Sequence, residues 1–122
     1  MGMIGKSQMY KGNRISPSQL IMLIKLAGQP MYGYELLKAL REDYQGVWDP
    51  QTGAVYPALH RLQEHGLLFV ENKEGKDHYS LTPEAEAWLD ETLATLSSGM
   101  LFMARTMEIM GRAYLARRGE VE

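Results

Sequence analysis

The order of apolar and polar positions divides the first half of the chain into three predicted helices. Residues 20–28 are nearly all apolar, and the Ser-Pro-Ser-Gln segment before them has the residues expected at a helix start. Residues 32–44 carry leucines at helical spacing, with charged residues between them. Residues 51–65 show a third apolar stripe, which Gly66 ends.

The third predicted helix has a distinctive outer face. It carries amides, hydroxyls, an aromatic ring and an imidazole, with no carboxylate before Glu64. Pro57 is expected in about the first turn, where the missing N–H costs little. Such a face suits the edge of a base pair or a phosphate. An ordinary amphipathic helix is the alternative, and this stretch alone does not decide between them.

Two extended segments follow, residues 67–71 and 78–81, both rich in strand-forming residues. The polar, glycine-bearing residues 72–77 between them predict a hairpin turn. Three helices and then a hairpin form the order of a winged helix–turn–helix. We therefore predict a mainly α fold of the α+β type, with this domain over residues 16–82 and a flexible N-terminal arm over residues 1–15.

A long C-terminal helix is predicted over residues 83–118, because Thr82 and Pro83 repeat the pattern of a capping residue followed by proline. Its apolar residues alternate steps of four and three, the repeat of a coiled-coil seam. The seam consists of Leu89, Leu93, Leu96, Met100, Met103, Met107, Met110 and Tyr114. We predict that it forms a homodimer interface; packing of the helix on its own domain is the alternative.

Composition narrows the choice of function. The 122 residues contain no cysteine, which excludes disulfides and thiolate metal sites, and the net charge is −2. Residues 1–30 carry four Lys or Arg and no acid, whereas residues 31–90 carry five against eleven Asp or Glu. This distribution argues against promiscuous, salt-driven DNA binding.

No apolar run reaches membrane-span length and no signal peptide is evident, so we expect a cytoplasmic protein without a membrane partner.

Catalysis is not expected. His60, His65 and His78 lack the spacing that would place two of them together on a metal ion, and no phosphate-binding loop or nucleophile motif occurs. We therefore predict no catalytic residue, no metal site and no cofactor.

Four short motifs lie in order along the predicted domain. They are Pro30, Gly33, Tyr34, Glu35 and Leu36; Gly53, Tyr56, Pro57, Leu59 and Leu62; Gly66 and Leu67 with Gln63 or Glu64 before them; and Tyr79, Leu81 and Thr82. Over roughly residues 18–90 this pattern resembles the PadR-like transcriptional regulators.

The resemblance implies a homodimeric winged-helix repressor that binds operator DNA through its third helix and wing. In this family the C-terminal helix forms the dimer interface, and several members lose DNA affinity when a small aromatic or amphiphilic compound binds. The single C-terminal helix predicted here is similar to that of the smaller subgroup, which includes multidrug-responsive repressors.

The candidate DNA contacts lie on the third helix and the wing. Gln and Arg pair well with adenine and guanine edges, whereas Lys on a wing suits the flanking backbone. The candidates are Gln51, Thr52, Tyr56, His60, Arg61, Lys73 and Lys76, with His78 as a further backbone contact. Two alternatives stay open: Tyr56 and Pro57 shape the helix entry, and the lysines are merely solvated. Gly33 and Tyr34 are assigned to close helix approach and core packing.

The candidate effector site centres on Trp88, whose indole could stack on a planar ligand between protomers. Met100, Phe102 and Met103 could line the same space. Packing of Trp88 against the winged domain is the alternative.

A protein-interaction adaptor is a competing function, since the charge balance is acidic and Glu71, Glu74 and Asp77 offset the lysines of the wing. Salt dependence separates the two functions, because DNA affinity falls steeply with salt and an apolar protein contact does not.

Overall fold

The computed structural model describes residues 8–119, and over that range it contains five strands and four helices. In chain order they are β1 Gln8–Tyr10, β2 Asn13–Ile15, α1 Pro17–Gly28, β3 Met31–Tyr32, α2 Gly33–Asp43, α3 Thr52–Glu64, β4 Leu68–Lys73, β5 Lys76–Leu81 and α4 Pro83–Arg117. The fold is a winged helix of the α+β type with a long C-terminal helix, as predicted. None of these helices has the length and hydropathy that crossing a membrane requires.

Local side-chain chemistry sets the ends of the helices. At α1 the Ser16 hydroxyl accepts from the Gln19 amide at 3.2 Å, and the Gln19 side chain accepts from the Ser16 amide at 2.9 Å, which is a complete capping box. At α4 the Thr82 hydroxyl accepts from the Ala85 amide at 3.2 Å and donates to the Gly66 carbonyl at 2.9 Å. Thr82 therefore joins the end of α3 to the start of α4.

One core holds the three short helices and the sheet together. Its fully buried side chains, each under 2% exposed, come mainly from α1, α2 and α3 and include Leu23, Leu26, Leu36, Leu40, Val55, Leu59 and Leu62. The sheet order is β3-β5-β4 with antiparallel pairing, so β4 and β5 form the wing. The short strand β3 was not predicted, because two residues are too few to show an alternating pattern.

The N-terminal segment differs from the prediction. A flexible arm was expected over residues 1–15, but residues 8–15 form a β-hairpin, while residues 1–7 lie outside the described range. Tyr10 and Ile15 are buried in the core, and the turn at Lys11 and Gly12 has positive φ at both residues. Two buried side chains in eight residues leave too little periodicity for sequence reasoning to detect.

Pro57 lies deeper in α3 than expected. The helix begins at Thr52, so Pro57 is its sixth residue rather than part of the first turn. A proline there removes the hydrogen bond to the Gly53 carbonyl. Both residues are exposed, so water can satisfy that carbonyl.

The two ends of α4 have different environments. Leu89 and Leu96 are buried within the chain, and Leu89 belongs to the domain core. Farther along, Met107, Met110 and Tyr114 are each more than half exposed. Three large apolar side chains off the seam are also exposed: Leu101, Phe102 and Ile109. The first part of the helix therefore packs on its own domain, and its distal half carries apolar surface on more than one side.

Candidate nucleic-acid interface

The outer surface of α3 is a ridge opposite its buried stripe. Val55, Leu59 and Leu62 face the core, and at about 100° per residue Pro57 and His60 lie on the opposite side. The ridge also includes Gly53 and Glu64, and Arg61 borders it; all are exposed. Short or absent side chains in the first turns let the helix backbone approach a ligand closely.

The two predicted contacts at the start of α3, Thr52 and Gln51, differ in their hydrogen bonding. Thr52 is exposed in the first turn. Gln51 is the N-cap residue, but its side chain does not cap the helix. Its amide instead donates to the Asp49 carbonyl at 3.0 Å and to the Asp49 carboxylate at 2.8 Å. Its side-chain oxygen therefore remains for recognition, and a bidentate contact with adenine requires Gln51 to leave Asp49.

Tyr56 is half-buried because its ring lies directly on Gly33 at the start of α2. A Cβ at Gly33 would lie 2.5 Å from Tyr56 Cε1, well inside van der Waals contact. The predicted close approach at Gly33 is therefore confirmed. Core packing of Tyr34 is wrong: this side chain is 52% exposed and stacks on Tyr32 with 5.8 Å between ring centroids.

An aromatic cleft of about 280 Å³ separates α3 from the wing. Tyr34, Tyr56, His60 and Lys76 line it, and the Lys76 ammonium lies 5.4 Å from the centroid of the Tyr34 ring. The structure thus brings three of the predicted contacts together with Tyr34, whose outward orientation the sequence did not reveal.

The wing presents its lysines at the tip of the hairpin. Lys73 and Lys76 are opposite each other in the strand register, and both are exposed. The turn between them is fixed by Asn72, which accepts from the Gly75 amide at 3.1 Å and donates to the Asp77 carboxylate at 3.2 Å. His78 is half-buried against Tyr32, with 4.8 Å between ring centroids. It lies two residues along β5 from Lys76 and is therefore farther from the tip of the wing than the lysines.

Several cations elsewhere among the described residues form ion pairs, whereas those of this surface do not. Lys11, Lys25 and Arg41 pair with Glu84, Asp43 and Asp49 at 3.1, 2.8 and 3.3 Å. Within residues 8–119, no ion pair engages the cations beside α3 and on the wing, which are Arg14, Arg61, Lys73 and Lys76. Cations without a direct carboxylate partner among residues 8–119 thus lie where the sequence predicted DNA contacts.

Among residues 8–119 two groups have shifted pKa values, Tyr79 in the wing and Lys11 in the N-terminal hairpin. Burial, and then the nearby Asp77 carboxylate and Tyr56, raise the pKa of the Tyr79 hydroxyl above its ordinary value. The hydrogen bond and charge of Glu84 raise the pKa of the exposed Lys11 ammonium. Both shifts favour the protonated forms.

The predicted effector residues are not together in one chain. The Trp88 indole donates to the Met9 carbonyl at 3.0 Å and meets Tyr10 edge to face, so it packs against the N-terminal hairpin. Met100 lies twelve residues farther along α4, about 18 Å away. Met103 is half-buried and Phe102 is exposed.

Sequence comparisons point to one family. A sequence model of the family described as "Transcriptional regulator PadR-like family" matches residues 20–91. The chain is 35% identical over 88 residues to "Transcriptional regulator YqjI" of Escherichia coli (strain K12). That alignment covers 71% of this chain, and the chain spans only 42% of the length of this relative.

Solved structures give the same result. A PadR-like transcription factor from Bacteroides fragilis is similar with a TM-score of 0.56 and 26% identity, covering 71% of this chain and 85% of that one. A PadR family transcriptional regulator from Eggerthella lenta DSM 2243 has a TM-score of 0.55 and 27% identity, covering 73% and 80%.

Proposed function

The chain belongs to the PadR-like family of transcriptional regulators. From that premise we propose that it acts as a homodimeric repressor, and that a small aromatic or amphiphilic effector releases it from its operator. The observation that carries the proposal is the exposed ridge of α3 beside a wing whose lysines have no carboxylate partner within residues 8–119. Such a surface offers side chains for base edges and cations for phosphates.

Base recognition is assigned to the outer face of α3. A helix with its side chains is about as wide as the major groove, roughly 10–12 Å, so the ridge can enter it. His60 lies on the ridge and Arg61 borders it, while Thr52 and the Gln51 oxygen lie at its N-terminal end. Tyr56 shapes this surface through its contact with Gly33 and adds its ring to the aromatic cleft.

Backbone contacts are assigned to the tip of the wing. Lys73 and Lys76 lie together at one end of the hairpin, and the Tyr34 ring supports the Lys76 ammonium. Exposed ammonium groups of this kind contribute counterion release and no sequence information.

A second copy of the chain is the proposed partner of α4. Met107, Met110 and Tyr114 remain exposed after the chain has folded, although they continue the apolar repeat that starts at Leu89. Pairing of two such helices would cover this seam. It would also place two α3 helices on one operator, as dimeric regulators require.

The effector is proposed to bind near the middle of the dimer, where Met100 and Met103 are half-buried and Phe102 is exposed. Methionines adapt to ligands of different shape, and an aromatic ring can stack on a planar compound. Trp88 contributes only if a ligand displaces the hairpin or reaches its exposed edge, because its N–H already bonds to Met9.

The proposal is tested by fluorescence anisotropy of the full chain on a labelled duplex from upstream of its own gene, against a scrambled duplex. We expect selective binding that falls with salt between about 50 and 200 mM. His60→Ala should reduce the preference for the operator over the scrambled duplex. The double variant Lys73→Gln and Lys76→Gln should instead weaken binding to both duplexes alike. Equal binding to the two duplexes at every salt concentration would contradict sequence-specific regulation.

The charge balance favours a second candidate, a winged-helix adaptor that contacts a protein. Glu71 and Glu74 are exposed on the wing, and residues 31–90 are acidic overall. An adaptor would bind neither duplex in the same assay and would keep a salt-insensitive affinity for its protein partner.

A further inference from the structure

A groove of about 460 Å³ lies on the flank of α3 away from the aromatic cleft. We call it the basic groove, and its polar lining comprises Arg14 of β2, Ser16, Ser18 and Gln19 at the start of α1, Arg61 of α3 and His65 at the end of that helix. No Asp or Glu among residues 8–119 lines it, although the chain as a whole is acidic.

The two guanidinium groups of the basic groove have no partner among the described residues. Neither the Arg14 nor the Arg61 side chain makes an ion pair or hydrogen bond there, whereas Arg41 bonds to the Pro50 carbonyl at 2.9 Å. Nδ1 of His65, which also lines the groove, is buried without a hydrogen-bond partner. Guanidinium groups without a carboxylate partner are a feature of a site for an anion.

The position of Arg14 follows from the fold of the N-terminal hairpin. Ile15 is buried in the core, and Arg14 is the preceding residue of β2, so its exposed side chain is held beside α1 and α3. The hairpin is in turn attached to α4 through the Trp88 hydrogen bond to Met9. Arg14 is therefore carried by a folded element.

We propose that the basic groove binds backbone phosphates of the operator, with Arg14 and Arg61 as the contacting residues. This inference rests on the proposed function. When the α3 ridge occupies a major groove, one phosphate strand lies along each flank of the helix. The wing lysines contact the phosphates of one DNA strand, and the basic groove contacts those of the other. Arg14 therefore extends the DNA-binding surface beyond the helix–turn–helix and its wing.

The test is the salt dependence of operator binding by the full chain, with Arg14→Gln compared with wild type. We expect Arg14→Gln to weaken binding to operator and scrambled duplexes alike, by about three- to tenfold for each protomer bound, because a phosphate contact carries no sequence information. Because each protomer of the proposed dimer loses one phosphate contact, the slope of log affinity against log salt should fall in magnitude by about 1.8, which is about 0.9 per contact. Arg14→Lys should keep the slope, since it keeps the charge.

Lys11→Gln is the matched control. It lies in the same hairpin and removes the same charge, but its ammonium bonds to Glu84 on α4 at 3.1 Å. We expect its slope to equal that of wild type. An unchanged slope in Arg14→Gln, or an equal loss in Lys11→Gln, overturns the inference while leaving operator binding intact. Failure of the wild-type protein to bind either duplex overturns the proposed function itself.

Discussion

At the scale of single residues, the contact between Gly33 and Tyr56 sets the spacing of α2 and α3. The Tyr56 ring occupies the space that a side chain at residue 33 would need. This contact holds the ring at the edge of the aromatic cleft, where His60 and Lys76 also lie. One absent Cβ therefore influences both the packing of the domain and the shape of its candidate DNA surface.

Gly33→Ala should displace the Tyr56 ring and lower the free energy of unfolding by about 1–2 kcal/mol, as overpacking does in a close contact. Urea unfolding followed by circular dichroism measures this change. Gly28→Ala is the matched control at a helical glycine, because a Cβ there meets nothing within 4 Å. On a Tyr56→Ala background the cost of Gly33→Ala should largely disappear; an undiminished cost would show that another contact is responsible.

The raised pKa of Tyr79 predicts how the free energy of unfolding changes in alkaline solution. Its pKa in the folded protein is above the ordinary value of about 10, because the side chain is 2% exposed. The unfolded chain therefore loses the Tyr79 proton first, and the stabilisation present below pH 10 declines as the pH rises above that value. Urea midpoints measured from pH 9 to about 11 should fall in wild type and fall less steeply in Tyr79→Phe. Identical pH profiles for the two proteins would contradict the assignment to Tyr79.

At the scale of elements, the N-terminal hairpin joins the winged domain to α4. Tyr10 and Ile15 anchor it in the core, while Met9 accepts the Trp88 hydrogen bond and Lys11 pairs with Glu84. The hairpin therefore bridges α4 and the flank of α3 that carries the basic groove. An element outside the matched family region, residues 20–91, thereby becomes part of the domain.

Trp88→Phe should lower the free energy of unfolding by about 1 kcal/mol, because it keeps an aromatic ring but removes the hydrogen bond to Met9. Trp48→Phe is the matched control, since within residues 8–119 the Trp48 indole N–H has no hydrogen-bond partner and its ring is partly exposed. Urea unfolding and hydrogen exchange of the residue 8–15 amides measure the two effects. Equal changes in the two variants would mean that the hydrogen bond does not hold the hairpin.

At the scale of the whole molecule, α4 carries more apolar surface than one chain can cover. The 35-residue helix extends for about 52 Å, and only its first part packs on the winged domain. The exposed methionines of its distal half explain why we propose a second copy as its partner. Dimerisation would then set the distance between the two α3 helices and hence the spacing of operator half-sites.

Met107→Glu combined with Met110→Glu should raise the dimer dissociation constant by at least about a hundredfold, because two-fold symmetry introduces each carboxylate into the seam twice. Analytical ultracentrifugation measures the dissociation constant, and the same variant should lose operator affinity. Ser98→Glu adds charge to the same helix away from the seam and should leave the dimer intact. A dimer that survives the double substitution would place the interface elsewhere.

The sequence by itself determined the elements whose signals are local. Capping at Ser16 and Thr82 and the spacing of the leucines were sufficient to predict the helices, because these features depend on residues within a few positions of each other. The polar turn of the wing was predicted for the same reason. The family motifs predicted DNA binding, and the spacing of the histidines together with the absence of a nucleophile motif argued against catalysis.

Only the tertiary structure decided the contacts between distant parts of the chain. Met9 and Trp88 are separated by 79 positions, so no periodic pattern could show that the N-terminal segment is a docked hairpin. The outward orientation of Tyr34 and the position of Arg14 beside Arg61 likewise follow from how separate elements pack. Periodicity specifies which face of an element is apolar, and packing in three dimensions specifies which residues meet across it.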